Sequence, residues 1–300
     1  MSISDIFRKQ DKKPLGLYIH IPFCRSKCEY CDFCSFVPNN KAVVEHYTDA
    51  LLLQMEDWRE KCKPYEIDSV YIGGGTPTYL DLPHLQRIIE GIYRNFKVKK
   101  NAEFSIEANP ATVELEDLRR LRRLGVNRLS IGMQSAVPGE LKALGRTHTV
   151  AESEQAFNDA RRAGFDNISI DLMYGIPEQN VDSFMQSLSF VASRAPEHIS
   201  LYALKIEDGT PFARRRETLA LPGEDAEYDM YMRAVDYLDA RGYKRYEISN
   251  FSVPGYESKH NLKYWHCDEY LGLGASAHSY FGRERFSSCL LYTSDAADDK

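Results

Sequence analysis

Apolar and polar positions along the chain fall into two alternating rhythms. Residues 15–21 (LGLYIHI) form a dense β-branched and aromatic run, the mark of a strand. Residues 42–61 carry Val43, Tyr47, Leu51, Met55 and Trp58 at helical spacing. The two rhythms then alternate. Strands are predicted at 66–72, 102–108, 128–131, 167–173, 198–203 and 243–248. Helices are predicted at 83–96, 115–124, 139–144, 151–163, 182–193 and 224–241. Gly125, Gly164 and Gly242 stop three of these helices. Such alternation builds a parallel sheet with helices outside. Six or seven units in this length predict an α/β fold, a full or partial (β/α) barrel of the TIM type, with an open doubly wound sheet as the competing arrangement.

Polar residues interrupt the apolar rhythm at two places. Asp171 breaks the series Ile168, Ile170, Leu172, and Glu107 follows Phe104 and Ile106. Both stand near the C-terminal ends of their strands, on the less apolar parity. In a barrel that parity faces the interior, whose C-terminal mouth takes ligands.

Composition narrows the function. The 300 residues hold 38 Lys+Arg and 44 Asp+Glu, a net charge of -6 that argues against a general nucleic-acid binder. No apolar run nears the roughly 18 residues of a membrane span, and the first ten residues lack a signal-peptide core, so the expected compartment is cytoplasmic. Seven cysteines are an odd number for a disulfide framework, and four of them, Cys24, Cys28, Cys31 and Cys34, crowd into eleven positions. The spacing of the first three is C-x3-C-x2-C. Thiolates at this spacing can bind three irons of a [4Fe–4S] cube and leave the fourth open to a small ligand. A zinc knob is the competing reading, although His20 and His46 make no familiar second ligand pair. Tyr71-Ile-Gly73-Gly74-Gly75-Thr76-Pro77 lets backbone approach a ligand closely. It is neither a phosphate loop, for want of a following Lys, nor a G-x-G-x-x-G fingerprint.

These motifs resemble the radical S-adenosylmethionine (radical SAM) superfamily, whose signature is C-x3-C-x2-C after the first barrel strand. The resemblance implies a cluster held by Cys24, Cys28 and Cys31, whose open iron chelates S-adenosylmethionine and whose reduction releases a 5′-deoxyadenosyl radical. It runs from about residue 15 to 280 and is nearest to oxygen-independent coproporphyrinogen III oxidases and HemW-type haem chaperones. Carried over by position, Tyr18 and the run Gly74, Gly75, Thr76 match S-adenosylmethionine contacts. So do Glu107 in Ser-Ile-Glu-Ala-Asn-Pro, Gln134 in Ser-Ile-Gly-Met-Gln, Arg146 in Leu-Gly-Arg-Thr-His, and Asp171 in Ile-Asp-Leu-Met. Carboxylates suit ribose hydroxyls, and an Arg fork suits a carboxylate.

Two features separate the relatives. The oxidases carry a further cysteine two residues after the third ligand, where this chain has Phe33; Cys34 comes one residue later and reads as a small, partly buried hydrophobe. His260-Asn-Leu-Lys-Tyr264-Trp265 resembles the H-N-x-x-Y-W segment of the chaperones, which makes His260 a haem-contact candidate and His278 a second. The resemblance therefore implies a haem chaperone that binds cluster, S-adenosylmethionine and haem, takes electrons from a donor, and passes haem to acceptor proteins, membrane-associated ones included. The alternative is coproporphyrinogen dehydrogenase, making protoporphyrinogen IX by radical oxidative decarboxylation, and which of the two applies decides whether the protein is an enzyme. The Arg119–Arg123 and Arg214–Arg216 runs read as solvated faces. The expected organisation is an extension at 1–14, the barrel at 15–250, the start of a C-terminal haem-chaperone-type region at 251–287, and a non-native tail at 288–300 that reads like translated sequencing adapter.

Overall fold

The structure, a computed structural model, describes residues 12–289. The first eleven residues and the expected tail from 290 onward lie outside the described residues. Six strands, β1 (Lys13–Ile21), β2 (Tyr65–Gly74), β3 (Val98–Ala108), β4 (Arg128–Gln134), β5 (Ile168–Tyr174) and β6 (His198–Ala203), run parallel, each beside its predecessor. Between them come α1 (Lys41–Arg59), α2 (Leu82–Asn95), α3 (Leu115–Arg123), the pair α4 (Pro138–Ala143) and α5 (Val150–Arg162), and α6 (Val181–Ala192). After β6 follow α7 (Pro211–Arg214) and α8 (Glu224–Asp239). Local chemistry fixes the helix starts: Asn40, Asp81, Thr149 and Asn180 each accept a backbone N–H of the first turn.

Period two sorts the strand residues into two faces. Leu15, Leu17, Ile19, Phe104, Ile106, Leu129, Ile131, Ile168 and Ile170 are buried in one core with Leu51, Met55, Ile88, Ile92, Leu121 and Leu188 of the surrounding helices. The opposite parity is polar: Tyr18, Ser69, Tyr71, Glu103, Glu107, Arg128, Ser130, Asp171 and His198 line the interior. The sheet does not close. Strands β1 and β6 do not pair with each other but each adds further strands on its outer edge, so the fold is a partial barrel.

The expected seventh strand over 243–248 is corrected. β7 (Lys244–Arg245) is two residues long and pairs antiparallel with β8 (Asn250–Ser252), which itself lies antiparallel against β6. A strand inside a parallel sheet must bury both faces. Lys244 and Arg245 are exposed and Ile248 is 65% exposed, so the run cannot serve as one.

The boundary expected after residue 250 falls within continuous packing. Helix α9 (Lys259–His266) enters the barrel interior, and β9 (Tyr270–Leu273) adds a parallel strand beside β1, followed by β10 (His278–Phe281) and β11 (Glu284–Ser287). Ser258 caps α9, its Oγ accepting from Asn261 N–H at 3.3 Å. The buried Glu103 carboxylate accepts the N–H groups of Lys259 (3.0 Å) and His260 (3.1 Å), placing negative charge at the positive end of the helix. Lys263, 7% exposed, lays its ammonium 2.9 Å from Asp68 at the start of β2. Glu103→Ala should strand two buried N–H donors and cost about 1–3 kcal/mol in urea unfolding, with Glu103→Gln costing less because one acceptor survives; an unchanged midpoint in Glu103→Ala would refute this anchoring.

Candidate functional site

The cysteine loop is built on the end of β1. Phe23 is fully buried edge-on against Phe36 (5.4 Å between centroids) and Tyr47 (5.1 Å). The backbone closes around it: Cys24 N–H donates to Phe36 O (3.0 Å) and Phe36 N–H to Pro22 O (2.8 Å). Lys27 ties the far side through its ammonium to Phe33 O (3.1 Å) and Ser35 O (3.2 Å). His20, buried beneath, contacts Cys34 O through Nε2 (2.8 Å) and Tyr18 hydroxyl through Nδ1 (3.1 Å). A carbonyl can only accept, so Nε2 carries the proton and Nδ1 accepts from Tyr18. The loop is thus pinned to the barrel by an imidazole two residues before its first proline.

The glycine run at the end of β2 packs directly against this loop. Gly75 N–H donates to Ile21 O (2.8 Å) and Thr76 N–H to Phe23 O (2.7 Å). Gly74 has φ +113°, and a Cβ there would lie 2.5 Å from the His20 ring. At Gly75 a Cβ would lie 2.8 Å from Phe23 O and 3.0 Å from Cys24 Sγ. Only glycine brings this strand end so near the cysteines.

Together they form one wall of a cavity of about 380 Å³ at the C-terminal mouth of the barrel. This is a volume that takes a small-molecule ligand. Cys24, Cys28 and Cys31 line it with Gly74, Gly75, Thr76, Glu107, Gln134, Arg146 and Asp171. Among the described residues no three His, Cys, Asp or Glu side chains converge closely enough to hold one metal ion. Cys34 is partly buried and its side chain is not among the cavity lining. A larger cavity, about 560 Å³ between Leu85, Val113, Asp117 and Ala156, carries none of the cysteines.

Opposite the cysteines, β4 supplies two contacts by breaking its own regularity. The pairing of β4 with β5 slips between Gly132 and Gln134, and Gln134 takes φ 68°. Such a left-handed residue costs of order 1–3 kcal/mol and re-aims the strand end. Arg146 then folds back over it, donating to Gly132 O (2.8 Å) and to Cys28 Sγ (3.5 Å). Its Nε is buried without a partner. The guanidinium therefore has donor capacity left over beside a cysteine, as a carboxylate-bearing ligand would require. Burial lowers its pKa, yet Tyr30 and Cys28 outweigh that and hold it above the usual value.

The two carboxylates face each other across the mouth. Glu107 accepts Tyr71 hydroxyl (2.9 Å) and Gly74 N–H (3.1 Å). Burial, assisted by the charge of Asp171, pushes its pKa up to about 7 against the pull of Tyr71, Gly74 and Arg128. Asp171 accepts Ser130 hydroxyl at 3.1 Å, and burial raises its pKa as well, opposed by serine hydroxyls and Arg128.

Tyr18 and His260 do not line the cavity. Tyr18 lies one layer below, between His20 and a stack with Tyr71. His260 is fully buried beneath Tyr18 and Tyr71, with Nδ1 on Ser69 Oγ (3.0 Å) and Nε2 on Tyr264 hydroxyl (2.9 Å). Burial lowers its pKa to about 3, so it is a neutral ring with both nitrogens engaged. His278, the second haem-contact candidate, is exposed at the start of β10. The Arg119–Arg123 run is largely solvent-facing, paired to Glu116 and Gln86, while Arg215 meets Glu29 at 3.1 Å. The cavity also takes Tyr71, which heads the glycine segment, and Tyr30, Ser130, Met173 and Tyr202, which are not among the candidates named from the sequence. The parity that found Glu107 and Asp171 also finds Tyr71, Ser130 and Tyr202 when applied to β2, β4 and β6. On β5 the same parity finds Met173, two residues beyond Asp171, whereas Tyr30 lies in the cysteine loop and gives no such signal.

Comparison with known proteins agrees with this geometry. Residues 18–191 match the model of the Radical SAM superfamily. The heme chaperone HemW of Bacillus subtilis is 40% identical over 271 residues, 89% of this chain and 71% of the relative. HemW of Lactococcus lactis is 38% identical over 92% of this chain and 72% of the relative, and HemW of Escherichia coli 38% over 88% and 70%. Among solved structures, coproporphyrinogen III oxidase (HemN) from Escherichia coli, a radical SAM enzyme, superposes with a TM-score of 0.85 at 27% identity, covering 96% of this chain and 70% of that one.

The raised Glu107 pKa has a consequence for stability. The folded state holds this proton up to about pH 7, whereas an unfolded glutamate releases it near 4.5. Folding therefore binds a proton between those values, and Glu107 weakens the fold progressively as pH rises through that window. Glu107→Gln should melt higher than wild type at pH 7.5 and show little difference at pH 4.5. An equal shift at both values would contradict the assignment.

Proposed function

Because the chain belongs to the radical SAM superfamily, and within it to the family of the heme chaperone HemW, we propose that it is a haem chaperone that carries a [4Fe–4S] cluster and S-adenosylmethionine in the barrel mouth, binds haem, and delivers it to acceptor proteins. The observation that carries this reading is the single cavity on which the three cysteines, the glycine run and the side chains of Glu107, Gln134, Arg146 and Asp171 converge. The donor set suits the groups. Cys24, Cys28 and Cys31 would hold the cluster by soft thiolate ligation. Gly74 and Gly75 leave room for a close approach along the β2 end. Arg146 would take a carboxylate with its unused Nε–H, and Glu107, Gln134 and Asp171 would receive amino and hydroxyl groups. When bound, the cluster and S-adenosylmethionine supply one-electron reductive chemistry at the sulfonium.

The chain's own residues do the rest. His20 and Lys27 hold the cysteine loop in shape. Thr76 hydroxyl donates to Cys24 Sγ (3.6 Å) and Arg146 to Cys28 Sγ (3.5 Å), so two of the sulfurs are oriented by donors from other elements. Tyr71 orients Glu107 from below. Phe33, 62% exposed, stands at the rim where the oxidases have a cysteine, which supports the chaperone over the oxidase. No helix among the described residues is long and apolar enough to cross a membrane, so delivery to membrane-bound acceptors would proceed by docking rather than anchoring through these residues.

Anaerobic reconstitution should load about four irons per chain with broad brown absorbance, and Cys28→Ala should lose it. Haem titration should give a saturable Soret band near one haem per chain. Zinc without iron would reject the cluster, and turnover of coproporphyrinogen with S-adenosylmethionine and a reductant would reject the chaperone in favour of the oxidase.

A further inference from the structure

The cysteine loop is held from a second side as well. β1 and β2 grip its two ends, around Cys24 and Cys34. Its middle, the Glu29-Tyr30 pair between Cys28 and Cys31, is tied elsewhere. Glu29 N–H donates to Leu144 O (3.1 Å), just beyond α4, and Glu29 O accepts Phe212 N–H (3.0 Å) of α7. Both backbone groups of Glu29 are thus taken by segments far along the chain. Arg215 adds an ion pair to the Glu29 carboxylate (3.1 Å), and its guanidinium lies over the Phe212 ring, 5.3 Å from the centroid. Gly145 has φ +72°, and a Cβ there would lie 2.9 Å from Glu29 Cγ, so only glycine lets this turn come so close.

The sequence after β6 builds the segment that carries Phe212. Leu204, Lys205, Ile206 and Glu207 alternate apolar and polar residues at period two. Leu204 and Ile206 pack against a small apolar cluster of Leu144, Met173, Ile176 and Phe212, separate from the main core. Lys205 and Glu207 line the ligand cavity. Gly209, with φ +84°, then turns the chain. Thr210 caps α7, its Oγ accepting from Ala213 N–H (3.2 Å), with Pro211 in the first turn. Phe212 is fully buried, and Tyr30 of the cysteine loop packs against the same cluster. On the return, Ala220 O accepts Glu178 N–H (2.7 Å). The connection is therefore fastened at both ends and bears on the cysteine loop through its middle.

We propose that Phe212 is a positioning residue: it seats the β6–α8 connection as a clasp on the Cys28–Cys31 turn, so that retention of the cluster depends on a side chain outside the ligand cavity. This rests on the function proposed above, in which Cys28 and Cys31 hold two irons of that cluster. Two ligands joined by a two-residue turn keep their separation only if the turn is still, and Glu29 is the point at which it is held. Helix α7 has four residues, too few to stand alone, so its Phe212 N–H is placed by the burial of the Phe212 ring. Phe212 is absent from the cavity lining and acts through Glu29.

The test loads the full chain with iron and sulfide anaerobically and follows bleaching of the cluster absorbance by an excess of a ferrous chelator. Phe212→Ala should bleach about tenfold faster than the wild type, since the packing of a buried Phe is worth more than a decade in rate. Phe212→Leu, which keeps an apolar side chain in the site, should stay within about twofold of the wild type. Phe157→Ala, which empties a buried site of α5 in the main core, should also bleach near the wild-type rate. In the iron-free chain, trypsin should cut at Arg214–Arg216 about tenfold faster in Phe212→Ala, because the unseated clasp opens locally. A Phe212→Ala protein that keeps its cluster as long as the wild type would overturn the proposal. So would a Phe157→Ala protein that loses its cluster as fast as Phe212→Ala. Should Phe212→Ala fail to fold, the ion pair carries the test. Glu29→Arg and Arg215→Glu should each bleach about threefold faster, and the double exchange should return toward wild type. A double variant no slower than either single one is equally fatal. A wild type that takes up no iron would instead sink the function proposed above. The trypsin comparison still reads the clasp in that case, and equal cutting of Phe212→Ala and wild type overturns it.

Discussion

The inner face of this sheet is polar, and the fold stands only because those polar groups satisfy one another. A parallel sheet buried on both sides ordinarily reads as apolar throughout. Here the interior parity carries Glu103, Glu107, Arg128, Asp171, His198 and a file of serines. Four of these groups draw partners from other elements: Glu103 takes the head of α9, Asp171 takes Ser130, His198 takes Ser169 and Tyr246, and Glu107 takes Tyr71 and Gly74, while the Arg128 Nε is left over. Breaking one such link leaves a charge or dipole in a low-dielectric interior. The ligand cavity is the upper storey of the same network, so chemistry and stability draw on the same residues.

The cysteine loop is held in shape chiefly through its backbone. His20, itself bonded to Tyr18, Lys27 and the glycine run of β2 grip its backbone. The cysteine side chains are therefore presented by a frame built from β1, β2 and the loop's own lysine. Preorganisation of that kind lowers the ordering cost of ligand capture.

Much of this was legible from residues alone. Strand and helix order through β6 followed from periodicity, because the strands alternate apolar and polar positions at period two while the helices between them carry apolar residues at helical spacing. The cysteine spacing and the polar interruptions at Glu107 and Asp171 pointed to the mouth of the barrel, where the structure puts them. What escaped was the region after residue 243. Lys244, Arg245 and Ile248 look like a strand but are exposed, and β9 (YLGL) is too short and glycine-bearing to declare itself. His260 escaped for a different reason. A motif marks which residues belong together but not which way a helix faces, and the tertiary insertion of α9 turned His260 inward and left Trp265 54% exposed. Arg128 reads in isolation as a surface cation and becomes interior only through its strand parity.

The pairing of β9 with β1 ties the end of the described chain to its beginning, with Gly16 against Tyr270 and Ile19 against Leu273. During synthesis β1 emerges well before β9 and meets β2 first, so its other edge must wait for β9. Until then a long apolar strand stands open to pairing with other chains. Closing so large a loop is entropically slow. The strand that carries the cysteine loop therefore keeps one edge open until β9 has been made.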